Sequence, residues 1–239
     1  MRAWRLEANE KKIVYVEGES DKIFLMLLSK VKSLKIDSEN IVSCESSTKL
    51  FEEAENIKGY LKARDIYIVF DSDSQTKEAK IQEIKKQLQE TPKEEHRLND
   101  EEFNQIKIFL LPENDETEHN HNYCELEHLL EKMAKTSENE AFYTSLCQLY
   151  NAFFDEALKE INEDKTSVRR EKKRTKCWLH PYTTLSVCLE RSFVPCGLSD
   201  LDPVTTTTKM LDDPESIKIL KKSFNFDLKE LQALIDFLK

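Results

Sequence analysis

The sequence is poor in glycine and proline and lacks any long hydrophobic segment. Only three glycines and six prolines occur in 239 residues, whereas charged residues make up 34%. Helices are therefore expected to form most connections, and neither a P-loop nor a glycine-rich dinucleotide fingerprint exists. No stretch approaches the roughly 18 apolar residues of a membrane helix, and the first residues lack the apolar core of a signal peptide. The sequence predicts a cytoplasmic protein with no membrane association.

Cysteine pairs of the kind that bind zinc or build disulfide frameworks are also lacking. The six cysteines are scattered, and none belongs to a C-x-x-C pair. This spacing argues against a zinc ribbon and against a small secreted scaffold, and it favours free thiols in a reducing compartment. One compact group nevertheless combines residue types that bind zinc: His119, His121, Cys124 and His128. Its spacing matches no standard zinc site, so a solvated loop is the favoured interpretation.

The charge balance is acidic, with one basic segment. Asp and Glu number 46 and Lys and Arg number 36, so the net charge is −10. On its face this charge disfavours a polyanionic partner, because long-range repulsion slows encounter. Between Lys165 and Lys176, however, seven basic residues accompany a single acid, Glu171. The run predicts one locally basic face that can contact the backbone of a nucleic acid.

Strand and helix patterns alternate in the first half of the chain. Short β-branched runs occur at residues 12–16, 40–44, 65–70 and 106–111. Each of the first three is followed by a helical pattern, and Ser20 and either Ser46 or Ser47 are the expected caps of the first two helices. This order predicts an α/β fold with a mostly parallel four-stranded sheet flanked by helices. We expect the α/β domain to span residues 1–135 and an α-helical C-terminal lobe to span 136–239.

Acidic side chains follow two of these strands where each strand ends. Glu17 follows the first strand, and Asp71 and Asp73 follow the third. Open α/β sheets bind ligands at the carboxyl ends of their strands, and the Asp-x-Asp spacing on an extended segment predicts that both aspartates point to one side. Converging carboxylates raise their own pKa values unless a divalent cation neutralises them. The sequence therefore predicts a site for Mg²⁺ or Mn²⁺, with helix capping as the structural alternative for any single acid.

The acidic segments resemble those of a known fold. Val-Glu-Gly-Glu-Ser-Asp at residues 16–21, followed by Val-Phe-Asp-Ser-Asp at 69–73, resembles the Toprim domain, a Rossmann-like fold. Primases, topoisomerases, recombination mediators and the overcoming-lysogenization-defect (OLD) nucleases share that domain. The resemblance covers residues 12 to about 130. The chain is also similar to a small bacterial Toprim family related to OLD nucleases, in which a Leu-Leu-Pro strand end, here residues 110–112, leads to a Leu-Glu helix, here residues 126–127.

The resemblance implies a set of metal ligands and catalytic residues. Glu17 and Asp21 would form one carboxylate pair, Asp71 and Asp73 the second, and Glu127 a further ligand. The sequence departs from the small family's pattern just before Leu126-Glu127, where a small residue is expected and residues 123–125 are Tyr-Cys-Glu.

A downstream lysine is implied as well, and the basic run lies where it is expected. Lys172 is the first choice, with Lys173 and Lys176 as alternatives, for stabilising the charge that develops on the phosphate. Together with Glu17, Asp71 and Asp73 it would complete the catalytic set.

The implied activity is that of a metal-dependent endonuclease. Two cations would assist phosphodiester hydrolysis in DNA or RNA, and the kinship suggests phage defence or nucleic-acid processing. The main alternative is a non-catalytic Toprim module that binds metal, nucleic acid or a partner protein. A phosphatase of the haloacid-dehalogenase type would use residues 70–73 but would leave Glu17 unexplained. The apolar closing helices suit a homodimer as well as a core.

Overall fold

The computed structural model describes residues 12–73, 75–112, 124–160, 178–179, 182–183, 185–186 and 211–239. The chain divides into two compact units, Met1–Leu126 together with Lys229–Lys239, and Glu127–Leu228. Within the described ranges, no helix combines the length and the apolar character needed to cross a membrane.

The first unit is built on a parallel four-stranded sheet. Its strands are β1 (Lys12–Val16), β2 (Ile41–Ser43), β3 (Asp65–Asp71) and β4 (Lys107–Leu111). They lie in the order β2-β1-β3-β4, and every neighbouring pair is parallel. Both central strands are almost wholly apolar, as expected where a sheet is covered on both faces. The predicted α/β fold with a parallel four-stranded sheet flanked by helices is confirmed, and it is Rossmann-like.

Eight α-helices have bounds within the described part of the chain, and residues 179, 182–183 and 185–186 are helical as well. The eight are α1 (Glu19–Lys32), α2 (Ala54–Tyr60), α3 (Lys77–Gln89), α4 (Asp100–Phe103), α5 (Leu126–Lys135), α6 (Glu140–Glu160), α7 (Pro214–Ser223) and α8 (Lys229–Leu238). The sheet unit contains α1 to α4 and α8, whereas α6, α7 and nearly all of α5 belong to the other unit. C-terminal helices are therefore present as predicted.

The two faces of the sheet are covered by different parts of the chain. Residues of β1, β3 and β4, such as Ile68 and Leu110, share a buried cluster with Ile57 of α2 and with Ile84 and Leu88 of α3. Alternate residues point to the opposite face. There the rings of Tyr67 and Phe109 each lie 5.3 Å from the ring of Phe237 in α8. The sheet is thus buried between elements that are far apart in sequence.

Two helix caps differ from the predicted ones. Gly18, rather than Ser20, is the N-cap of α1, because the carboxylate of Asp21 accepts a hydrogen bond from the backbone N–H of Gly18 at 3.0 Å. This bond starts the helix at Glu19, before the serine that was expected to cap it. Capping of a second helix by Ser46 or Ser47 is also wrong.

In the second case a side chain from α3 replaces the expected serine cap. Gln87 accepts from the N–H of Leu50 at 3.1 Å and donates to the carbonyl of Ser47 at 2.8 Å. A short 3-10 helix, Leu50–Glu53, then precedes α2. The start of this segment is therefore set by a contact between residues distant in sequence.

Tyr15, at the centre of β1, buries a hydroxyl without a hydrogen bond. Its side chain is fully buried, and none of the described residues bonds the hydroxyl. A buried polar group without a partner costs about 1–3 kcal/mol, so Tyr15→Phe should leave the free energy of unfolding unchanged or raise it by about 1 kcal/mol. Urea denaturation followed by circular dichroism measures this change.

Tyr182→Phe is the matched control for that substitution. Tyr182 is equally buried, but its hydroxyl donates to the carbonyl of Ser223 at 2.7 Å. Loss of this hydrogen bond should lower the free energy of unfolding by about 1 kcal/mol. A comparable loss from Tyr15→Phe would show that the hydroxyl of Tyr15 is bonded in solution.

The helical unit has its own aromatic core. The ring of Tyr143 in α6 meets that of Trp178 edge-on at 5.0 Å and that of Tyr182 at 5.4 Å. Tyr182 in turn meets Phe224, which follows α7, at 5.4 Å. The backbone N–H of Asn139 donates to the carbonyl of Lys222 at the end of α7. These contacts join α6 to α7 within the helical unit.

Candidate carboxylate and lysine site

Glu17 and Asp71 meet at the carboxyl edge of the sheet. Val16 and Val69 are register partners on the adjacent central strands β1 and β3. Glu17 follows β1 directly, and its side-chain Oε1 accepts a hydrogen bond from the backbone N–H of Asp71 at 3.1 Å. Parallel pairing alone brings these strand ends together, since the carboxyl ends of parallel strands share one edge.

The segment after β3 is held by residues at the start of α5. The carboxylate of Asp71 is buried and accepts from the N–H of Leu126 at 2.8 Å. The N–H of Asp73 donates to the carbonyl of Cys124 at 3.1 Å, and the hydroxyl of Ser72 donates to the same carbonyl at 3.3 Å. Asp71 is therefore fixed in orientation by the backbone of another segment.

Asp73 does not continue the extended strand. Strand β3 ends at Asp71, and Asp73 has a φ of 52°, in the left-handed region that aspartate tolerates better than most residues. The prediction that both carboxylates point to one side assumed an extended Asp-x-Asp segment. That assumption is wrong, because the backbone is not extended at Asp73. The chain turns between Asp71 and Asp73, and the two carboxylates have different partners.

The partner of Asp73 is Lys80, a residue that the sequence analysis did not single out. The side chain of Lys80 is only 1% exposed, and its Nζ lies 2.6 Å from Oδ2 of Asp73 and 3.6 Å from Oε1 of Glu17. Glu83, one turn further along α3, lies 4.0 Å away. One sequence signal was present, because Lys80 shares the buried stripe of α3 with Ile84 and Leu88. A lysine on an apolar stripe is rarely buried unless it is paired.

Burial and charge shift the pKa values of this cluster. Burial raises the pKa of Glu17 to about 8, with a further rise from Asp73 and Asp21, against the lowering effects of Lys80 and the backbone N–H of Asp71. For Lys80, burial alone would lower the pKa, but Glu17, Asp73 and Glu83 outweigh it and the pKa is raised. Lys80 therefore stays charged, while Glu17 is easily protonated. Strongly shifted groups of this kind are concentrated at functional sites.

The shift at Glu17 predicts a pH dependence of stability in the metal-free protein. The pKa of Glu17 rises from 4.5 to about 8 on folding, so between these pH values the folded state retains a proton that the unfolded state has lost. In EDTA, wild type should lose stability relative to Glu17→Gln as pH rises through this window, with a slope of at most about 1.4 kcal/mol per pH unit.

Urea denaturation at several pH values measures that slope. Glu19→Gln is the control, because Glu19 is exposed and only two residues away. Parallel stability curves for wild type and Glu17→Gln would contradict a raised pKa at Glu17.

Asp21 and Glu127, the two remaining predicted ligands, lie within the described residues. The predicted catalytic lysine does not. Asp21 is buried in the first turn of α1, where its charge contributes to the raised pKa of Glu17. Glu127 is buried at the start of α5 and belongs to the helical unit. Lys172, with the basic run around it, lies outside the described residues, as do His119 and His121.

The donor chemistry fits Mg²⁺ or Mn²⁺, since Glu17, Asp71 and Asp73 supply only carboxylate oxygens at one sheet edge. In the described part of the chain, however, no three acidic, histidine or cysteine side chains converge on one point. Lys80 instead lies between Glu17 and Asp73. The arrangement is that of a carboxylate cluster neutralised by an internal cation. Glu17, Asp71 and Asp73 are the residues that would hold a metal ion.

Comparison with known proteins assigns the chain to a family. A family model described as "Protein of unknown function (DUF3226)" matches residues 11–192. This range contains all four strands and helices α1 to α6, including every residue of the cluster. Neither the curated proteins nor the solved structures that were searched gave a significant match to the chain. Because the family match covers most of its length, the chain belongs to the DUF3226 family.

Proposed function

We propose that the protein is a Mg²⁺-dependent nuclease of the Toprim/OLD type, which hydrolyses phosphodiester bonds of DNA or RNA. The observation that carries the proposal is the junction of Glu17 and Asp71 across the two central strands, with Asp73 two residues further on. The carboxyl edge of a parallel sheet is where α/β proteins place their ligands. The raised pKa of Glu17 adds support, because it results from burial and from the neighbouring carboxylates of Asp73 and Asp21, both of which a bound divalent cation would offset.

Each residue has a distinct task in this proposal. Glu17, Asp71 and Asp73 would bind and orient the metal ion. The N–H of Leu126 keeps the carboxylate of Asp71 from rotating. When bound, Mg²⁺ or Mn²⁺ supplies the Lewis acidity that activates water and stabilises the leaving oxygen. Asp21 and Glu127 are the further ligands proposed from the resemblance, and Lys172 the lysine that faces the phosphate.

The protein would act in the cytoplasm. Cys44 and Cys147 are not in disulfides, which suits a reducing compartment. Nucleic acid is the proposed partner, and the basic run between Lys165 and Lys176 would contact its backbone.

A cleavage assay tests the proposal directly. Purified protein is incubated with labelled single- and double-stranded DNA and RNA in Mg²⁺, in Mn²⁺ and in EDTA. We expect cleavage that requires a divalent cation and disappears when Asp71 is neutralised. Absence of cleavage of all four substrates by folded protein, in both metals, would overturn the nuclease proposal.

A non-catalytic metal- or partner-binding module is the second candidate. The observation in its favour is that Lys80 already forms ion pairs with Glu17 and Asp73, as in a structural ion-pair network. Such a module would bind Mg²⁺ without cutting. Metal would then raise the melting temperature of wild type but not of Glu17→Gln, while all four substrates remained intact.

A further inference from the structure

Lys80 holds a position that a divalent cation would also favour. Its ammonium lies between the carboxylates of Glu17 and Asp73, which come from the ends of the two central strands, and it is almost wholly shielded from water. An ammonium buried in this way is stable only while carboxylates compensate for its lost hydration. Lys80 therefore cannot separate from Glu17 and Asp73 unless another carboxylate takes their place.

The same oxygens cannot serve both cations equally well. Oδ2 of Asp73 is 2.6 Å from Nζ of Lys80, which is a charge-assisted hydrogen bond. A Mg²⁺ ion bound to that carboxylate lies at about 2.0–2.1 Å from its oxygen, so both positive charges would lie within a few ångströms of one another. At that separation their repulsion is substantial, because the side chain of Lys80 is only 1% exposed.

Glu83 offers the displaced ammonium another partner. Its Oε1 is 4.0 Å from Nζ of Lys80, on the same helix and one turn away. Glu83 is itself held by a hydrogen bond of 2.9 Å from the amide of Gln75. A modest rotation of the lysine side chain would therefore exchange Asp73 for Glu83 while the ammonium remained paired.

We propose that Lys80 is the resident counter-ion of the metal-free site and that it competes with the divalent cation for Glu17 and Asp73. Metal binding moves the ammonium of Lys80 towards Glu83. Lys80 thus stabilises the empty cluster and lowers its affinity for metal. This inference rests on the proposed function, because it presupposes that Glu17 and Asp73 are metal ligands.

Mn²⁺ binding, measured by electron paramagnetic resonance of the free ion, tests the competition. Lys80→Met removes the competitor, and we expect it to bind Mn²⁺ at least about tenfold more tightly than wild type. In EDTA the variant should melt at a lower temperature than wild type, and Mg²⁺ should raise its melting temperature by more than it raises that of wild type. Lys86→Met is the matched control, because Lys86 lies on the same helix with its side chain 72% exposed.

Two further variants keep the test decisive. Lys80→Gln also removes the charge but retains a polar group for the buried position, and it should again bind Mn²⁺ more tightly. Glu83→Gln removes the alternative partner and should weaken Mn²⁺ binding several-fold. Unchanged or weaker Mn²⁺ binding by the folded Lys80 variants would overturn the competition. If neither Lys80 variant folds, unchanged Mn²⁺ binding by Glu83→Gln would overturn it.

The outcome is independent of the cleavage assay. Tighter Mn²⁺ binding by Lys80→Met without any cleavage would support the competition and reject the nuclease. Cleavage by wild type together with unchanged Mn²⁺ binding by Lys80→Met would retain the nuclease and reject the competition.

Discussion

Asp71→Asn is expected to reduce metal-dependent cleavage by at least about a hundredfold, which corresponds to roughly 3 kcal/mol of transition-state stabilisation. Asp71 lies at the end of β3, and its carboxylate accepts from the N–H of Leu126. The amide oxygen of an asparagine can accept the same hydrogen bond. The substitution therefore removes the charge that a cation needs while retaining the local structure.

Asp65→Asn is the matched control for Asp71→Asn. Asp65 begins the same strand, so it lies at the opposite edge of the sheet, and its side chain is 56% exposed. Cleavage rates at saturating Mg²⁺ should be unchanged in this variant. Equal rates for wild type and Asp71→Asn would exclude Asp71 from the reaction and would indicate a contaminating nuclease.

Asp71→Ala separates the two roles of Asp71. Alanine removes both the charge and the acceptor for the N–H of Leu126. We expect the same loss of cleavage as in Asp71→Asn, with an additional loss of stability of about 1–3 kcal/mol because a buried N–H loses its partner. Melting curves of both variants in EDTA measure this difference.

Ile68→Ala is expected to lower the free energy of unfolding by about 3–4 kcal/mol. Ile68 is fully buried at the centre of β3, paired with Tyr15 on β1 and Ile108 on β4. Truncation removes apolar contacts and leaves a cavity, since strands on both sides prevent the site from collapsing.

Ile108→Ala is the matched control for Ile68→Ala, because Ile108 is the register partner of Ile68 on β4. Ile108 is only partly buried, so Ile108→Ala should cost about half as much as Ile68→Ala. Urea denaturation of both variants, at one pH and in EDTA, measures the two changes. A larger loss from Ile108→Ala than from Ile68→Ala would contradict the strand order β1-β3-β4.

Much of the sheet could be predicted from the sequence because its signals are local. The buried strand at Asp65–Asp71 is a run of apolar and β-branched residues, and the strand at Lys12–Val16 ends in a Glu-Gly turn. Parallel order follows from the alternation of strands and helices. Strand-end placement of Glu17 and Asp71 was therefore predictable, and their meeting follows from the parallel pairing of β1 with β3. The Toprim resemblance and the nuclease activity stay predictions.

The turn at Asp73 and the burial of Lys80 could not be predicted from the sequence, because both depend on residues that are distant along the chain. An Asp-x-Asp spacing does not show that the chain turns at Asp73, because that turn is held by the carbonyl of Cys124 in a distant segment. Likewise, a lysine in a helix with many charged residues is usually solvated. Lys80 is buried because the position of α3 on the sheet directs this one side chain at Glu17 and Asp73.

The sequence by itself determined the strand and helix alternation and the carboxylates at the ends of β1 and β3, since both depend on residues adjacent along the chain. Only the tertiary structure decided two further features. One is the burial of Lys80 among carboxylates from two strand ends. The other is the return of α8 to the sheet, where Lys12 of β1 donates to the carbonyl of Leu238, 226 residues away. Such contacts depend on which surfaces fit together after the elements have formed, and no local pattern encodes that fit.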